Sequence, residues 1–461
     1  MTTPAQPVTT INAVDGSRNL YEECKVMTEL SSLIYKVAIL LETAGKGGQK
    51  EEQDWASWWK GSPPKRKQLK KLELVLSDEC FNDPDKKVDE DGNYDLKSLN
   101  RDVDKDGTDD FFIEFKKNVS AISFLEFIEA NKNVLVKDEE DGVLQAAIES
   151  IKAHQESSYL WSFDQRFGGQ GLVYAITVNR KLKRITVGFR GSVGSFTTGE
   201  DWLQNYKVQL SNLPTPGLLK DELGFEEEIK VHHGFREYLL DENRMNEPKM
   251  SLQEMKDEGV GKYGKILDDL YECYNYEEDG KPIHKGFHLY VTGHSLGGAL
   301  SSLLAMKLAA SDTLRKEITH KEPIGPIVNI SVASPYVGNE SFANAVRLLE
   351  EKGWLRHIRI TNYCDPVPVA PPKHFLWNKF ESLYNEPYFQ TGYNLHLKAK
   401  AENGLEHGFD KERGFFSQFP SFGLIAPHMV ADYYKNMENA KDKLETMTIE
   451  GAYESLSSKP Q

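Results

Sequence analysis

The chain has 461 residues, 39% of them hydrophobic and 28% charged, with a formal net charge of −15 and a pI near 5.4. That supports one large core plus a substantial second region, and the negative charge argues against a nucleic-acid partner, since a polyanion would be repelled. No run of eighteen apolar residues is present, and Cys24, Cys80, Cys273 and Cys364 lie far apart without a C-x-x-C pair, so neither a membrane span, a disulfide nor a zinc site is expected.

Residues 1–18 are polar, aperiodic and without the basic and apolar regions of a secretory signal, so a disordered tail and a cytoplasmic protein are expected. From Leu20 to Glu42 apolar residues recur at helical spacing, at Val26, Leu30, Leu33, Ile34, Val37 and Leu41, which predicts a helix packed on a core. The Gly-, Pro- and Lys-rich stretch after it holds Trp55, Trp58 and Trp59, suited to anchoring a loop on the body. Residues 78–114 are strongly acidic. Asp102, Asp104, Asp106 and Gly107 take the first positions of a calcium loop, but the twelfth is Ile113 and the acid falls one later at Glu114. A short Asp-rich turn holding a structural Ca2+ on Asp102, Asp104 and Asp106 is one expectation, and a solvated acidic loop is the other.

From Phe124 to about Tyr159 the pattern is again mostly helical. Gly171 to Val178 and Arg184 to Arg190 then read as a hairpin-like strand pair. After them helices at 261–276, 297–310 and 340–351 alternate with strands at 287–292, 327–333 and 356–363. That rhythm predicts an α/β domain with a mostly parallel central sheet.

The strand at 287–292 runs into Gly293-His294-Ser295-Leu296-Gly297 and then into a helix of small residues. This is the wiring of a nucleophile elbow, in which flanking glycines leave room for a sharp turn that exposes the serine. A serine hydroxyl needs a base to take its proton and a third group to orient that base. Both are expected after Ser295, the acid first. Asp365 is the aspartate that directly follows an apolar strand, and so sits at a strand's carboxyl end. The base is one of His374, His396, His407 and His428. His374 is too close to Asp365 to reach around it comfortably, His396 and His407 lie in polar stretches read as loops, and His428 opens a C-terminal helix.

Over roughly residues 160–440 the chain resembles the class 3 (fungal-type) lipases. The likeness rests on Val187-Gly-Phe-Arg-Gly-Ser192, Asp201-Trp202-Leu203, Val231-His-His-Gly-Phe235, Gly293-His-Ser-Leu-Gly-Gly298, Ala333-Ser-Pro-Tyr-Val-Gly-Asn339, and Asn362-Tyr-Cys-Asp365-Pro-Val-Pro368 with Pro371-Pro372, in the family's order. It implies an α/β-hydrolase fold, with Ser295 as nucleophile, Asp365 as acid and His428 as base. It further implies an oxyanion hole from the N–H groups of Ser192 and Leu296, and a lid within Val193 to Leu213 in which Phe196, Trp202, Leu203 and Tyr206 cover the serine. Trp202 is equally readable as a fixed core residue. The insertion Gly194–Gly199 and the charged stretch Lys220–Lys230 depart from the simple pattern.

Between acid and base, Phe375, Trp377, Phe380, Phe389, Phe415, Phe416, Phe419 and Phe422 are available to wall an acyl-binding cleft. The resulting expectation is a serine ester hydrolase acting on acylglycerols through an acyl-enzyme. It would need no cofactor for the chemistry, and would touch a membrane or lipid-droplet surface only peripherally. A phospholipase A1 or galactolipase with the same triad, and a catalytically silent lipid-binding scaffold, are the alternatives. The chain divides into a tail (1–18), a mainly helical extension (19–155), the hydrolase-like domain (156–445) and a flexible tail (446–461).

Overall fold

Central strands buried on both sides carry apolar residues on both faces: Leu289, Tyr290 and Val291 in 288–294, and Ile327, Val328, Ile330 and Val332 in 327–332. In this computed structural model the described residues are 18–45, 101–103, 109–111, 114–120, 146, 149, 158–164, 172–192, 209–240, 262–320, 324–371, 386–398, 404–409 and 426–457. The first helix is α1 (Leu20–Gly45), followed by strands β1 (Arg101–Val103), β2 (Asp109–Phe111), β3 (Glu114–Ser120), β4 (Ser158–Asp164), β5 (Tyr174–Asn179) and β6 (Arg184–Phe189). Next come β7 (Leu210–Asn212), α2 (Gly217–Asp221), β8 (Lys230–His232), α3 (His233–Leu240), α4 (Lys262–Tyr274), β9 (Glu277–Glu278) and β10 (Lys281–Pro282). The second half holds β11 (His288–His294), α5 (Leu296–Ala309), β12 (Ile327–Val332), α6 (Glu340–Glu351), β13 (Leu355–Asn362), β14 (Tyr393–Leu397) and β15 (Leu405–Gly408). Helices α7 (Val430–Asn439), α8 (Lys441–Leu444) and α9 (Ile449–Ser457) complete it.

Nine strands form one sheet in the order β15-β14-β13-β12-β11-β6-β5-β4-β3. Pairing is parallel from β6 through β11, β12 and β13 to β14, and antiparallel at both ends. The period of two along a strand sends alternate side chains to opposite faces. Leu289 and Val291 enter a core with α3, α4, α5 and α6, whereas Tyr290 enters a second core with α1, α7 and α9. Among described residues no helix is long and apolar enough to cross a membrane.

The predicted helices and strands from 171 to 363 lie within a few residues of those found. The helix predicted from Leu20 is also found, as α1, whereas other parts of the reading need correction. β4 went unpredicted because Ser158–Asp164 mixes polar and aromatic residues, and it pairs with β3, so residues of the supposed helical extension complete the main sheet. His396 and His407 are in strands β14 and β15, not loops. His396 is buried between sheet partners with Nδ1 3.0 Å from Thr361 Oγ1. Residues 449–457 form a helix instead of a flexible tail, because Ile449, Ala452 and Tyr453, at i, i+3 and i+4, are buried in the second core.

α1 is clamped to that same face. Both Glu23 carboxylate oxygens accept from Arg184 Nη2, at 2.6 and 2.7 Å, and the guanidinium lies over the Tyr290 ring, 3.9 Å from its centroid. Gly188 permits the close approach: a Cβ there would fall 2.3 Å from Ile34 Cδ1.

Candidate active site

β11 ends in a turn that a serine enters only under strain. Ser295 has φ 59° and ψ −125°, a region that costs a non-glycine residue roughly 1–3 kcal/mol. The neighbours make the turn fit: a Cβ on Gly293 would lie 2.3 Å from the Gly297 carbonyl oxygen, and one on Gly297 would lie 2.6 Å from the Phe189 oxygen. The Ser295 N–H is tied to Val332 O at 2.9 Å, which fixes the turn on β12.

Asp365 stands just beyond β13, after Cys364 turns the chain at φ 65°. Its Oδ1 accepts from the Val367 N–H at 2.9 Å, and its Oδ2 accepts from the Tyr433 hydroxyl at 2.6 Å. Burial and the adjacent carboxylate push the Tyr433 phenol well above its ordinary value, so it stays a donor.

His428 closes a short 3₁₀ turn, Ala426–His428, just before α7. Its Nδ1 is 2.9 Å from Asp365 Oδ2 and its Nε2 is 2.9 Å from Ser295 Oγ. A carboxylate only accepts, so Nδ1 carries the proton and Nε2 presents its lone pair to the serine hydroxyl. The structure thus brings Ser295, His428 and Asp365 into one buried hydrogen-bonded row.

Leu296 is the first residue of α5, so its own N–H has no carbonyl partner within the helix. The segment bearing Ser192 runs alongside, since a Cβ on Gly191 would meet the His294 oxygen at 2.6 Å. Phe196, Trp202, Leu203 and Tyr206 lie outside the described residues, as do Asp104, Asp106, the three early tryptophans and, of the aromatic stretch, all but Phe389. Asp102 lies in β1, paired with Asp110.

Several polar groups that hold the row escape a reading by motif. Tyr433 arrives from α7. Asn362 ends β13 and donates through Nδ2 to Pro427 O at 3.1 Å, steadying the turn that carries His428. The Asn362 N–H in turn donates to the Tyr433 hydroxyl at 3.1 Å. His294, the variable residue of the elbow, is buried with Nε2 2.7 Å from His428 O and Nδ1 3.2 Å from the Tyr35 hydroxyl. A polar residue closing an apolar strand was a usable signal for Asn362. Nothing in the sequence marked Tyr35.

Known proteins resemble this chain. The class 3 lipase family model matches residues 186–375. Phospholipase A1-IIgamma of Arabidopsis thaliana is 24% identical over 262 residues, 56% of each chain. Phospholipase A1-II 6 of Oryza sativa subsp. japonica is 28% identical over 227 residues, 49% of this chain and 48% of the relative. The chain therefore spans about half the length of these curated relatives. Among solved structures, a mono- and diacylglycerol lipase from Aspergillus oryzae aligns at TM-score 0.39 with 18% identity, over 63% of this chain and 87% of that one. The family-model match thus spans β11 to β13 with Ser295 and Asp365, within a mostly parallel sheet covered by helices.

Proposed function

We propose that this protein is a serine ester hydrolase that cleaves acyl esters of glycerolipids. The observation that carries the reading is the His428 ring bridging Ser295 Oγ and Asp365 Oδ2 at 2.9 Å on each side. In the proposed route Ser295 Oγ attacks the ester carbonyl while its proton passes to His428 Nε2. Asp365 accepts from Nδ1–H and offsets the imidazolium charge. The oxyanion is met by the N–H groups of Ser192 and Leu296, each donor being worth roughly 3 kcal/mol in such holes. Collapse expels the alcohol, which takes the proton from Nε2 and leaves an acyl-Ser295 ester. Water, deprotonated by His428, then releases the acid. No metal enters these steps. An ion on Asp102, Asp104 and Asp106 would serve stability alone.

The acyl ester is assigned more firmly than the head group. The aromatic stretch between Asp365 and His428 favours long acyl chains, and acylglycerols are the first substrates to try. A second reading, a phospholipase A1, is favoured by the names borne by the relatives in Arabidopsis and rice. In either case the enzyme would work at a lipid surface by peripheral contact. The test is labelling by a fluorophosphonate together with hydrolysis of tri-, di- and monoacylglycerols and a phospholipid in micelles. Labelling lost in Ser295→Ala, with acid released by wild type, is expected. Folded wild-type protein that takes no label would overturn the proposal.

A further inference from the structure

Tyr35 lies on α1, far outside the segment that matches the lipase family, yet it reaches the nucleophile turn. Its hydroxyl is 3.2 Å from His294 Nδ1, and its ring meets that imidazole edge-on, with centroids 5.9 Å apart. A Cβ on Gly191 would fall 1.8 Å from the same hydroxyl oxygen, so Tyr35 occupies a notch that glycine leaves open beside Ser192.

The proton positions follow from the partners. His294 Nε2 is 2.7 Å from the His428 carbonyl oxygen, which only accepts, so Nε2 bears a hydrogen. Burial, with His428 as a neighbour, holds the His294 ring well below the ordinary imidazole value, and the ring is neutral. Its Nδ1 is then a lone pair, and the Tyr35 hydroxyl donates to it. A directed chain results: Tyr35 O–H to His294 Nδ1, then His294 Nε2–H to His428 O. The helix delivering the hydroxyl is held by the buried Glu23–Arg184 pair and by the contact of Ile34 with Gly188.

We infer that Tyr35 is a positioning residue, fixing the His294 tautomer and through it the main chain of His428, so that the imidazole stays between Ser295 and Asp365. This rests on the reading of those three residues as the catalytic set. Without the hydroxyl, the tautomer with a bare Nε2 becomes accessible and turns a lone pair on the His428 carbonyl. His428 then loses the bond to its carbonyl, and the tether through Asn362 and Pro427 on its N-terminal side remains.

Tyr35→Phe keeps the ring and removes the donor. The expected result is a fall in kcat of about tenfold, with KM within twofold and a parallel fall in the labelling rate of Ser295. Rates are taken per titrated active serine, so partial unfolding does not mimic the loss. Tyr21→Phe is the matched control: on the same helix, it loses a hydroxyl donated to Glu438 and should leave kcat unchanged. In a His294→Gln background, where tautomers no longer exist, Tyr35→Phe should cost no more than twofold. A wild-type kcat in Tyr35→Phe, an equal loss in Tyr21→Phe, a loss undiminished in the His294→Gln background, or a Tyr35→Phe protein that does not fold would each overturn the positioning role. Turnover surviving in Ser295→Ala would instead sink the catalytic reading beneath it.

Discussion

The two faces of the sheet are built differently. One is covered by α3 to α6, from a continuous stretch of chain, with small residues at the start of α5 letting helix and strand approach closely. The other is covered by α1 from one end of the chain and α7 to α9 from the other, and is tied by polar contacts. Ser295 and Asp365 stand between them on the sheet's carboxyl edge, within the stretch that matches the lipase family. His428 lies outside that stretch and belongs to the second face. The lesson is that the family-matching segment supplies the serine and the aspartate, and the flanking chain supplies the histidine with its supports.

The sharpest break in this comparison is at the joint between the faces. Asp365→Asn removes the carboxylate that selects the Nδ1–H tautomer of His428, and is expected to lower kcat by roughly 10⁴-fold while the protein stays folded; steady-state kinetics beside a thermal melt decide it. A smaller effect should come from the clamp on the second face. Glu23→Gln leaves the buried Arg184 charge poorly compensated and should cost about 3 kcal/mol in a denaturant titration. An unchanged midpoint would mean that α1 is not anchored there.

Acid lability is expected wherever a histidine is buried neutral, at His232 and His357 on the first face as at His294 against α1 on the second. Burial holds His232 and His357 neutral, each with its pKa lowered to about 3. A folded value below the unfolded 6.5 gives stability that is full above pH 6.5 and lost as pH falls toward 3. At pH 5 this amounts to about 2 kcal/mol per histidine. His357→Gln should flatten the fall in melting temperature between pH 7 and 5. A parallel curve would show that protonation elsewhere dominates.

The mildest change tests the support of the acid. Tyr433→Phe removes the hydroxyl donated to Asp365 Oδ2 and accepted from the Asn362 N–H, and should lower kcat three- to tenfold with little change in KM. If kcat is unaffected, the Val367 N–H alone orients the carboxylate.

What could be read in advance follows the same division. The elbow and strands β11 to β13 were legible because their rules are local: a glycine pair around a serine, and short Val-, Ile- and Leu-bearing stretches alternating with helical ones. Tyr35 and Tyr433 were not, since each is an ordinary apolar-face residue of a helix until the other end of the chain is folded against it. Strands β4, β14 and β15 were hidden by polar residues. In β14, Asn394 and His396 are buried by bonding to Thr361 on the neighbouring strand, a pairing that no local pattern reports. Among four histidines, position at the start of a C-terminal helix already favoured His428, and the family likeness strengthened that choice.

The bond between Tyr21 and Glu438 joins positions 417 residues apart, so the second face closes only when α1 meets the far-downstream α7. Until then a nascent chain displays a serine and an aspartate with no imidazole between them. Under the proposed reading such a chain is inert toward lipid. The order of synthesis therefore withholds the complete hydrogen-bonded row from any chain that lacks the segment leading into α7.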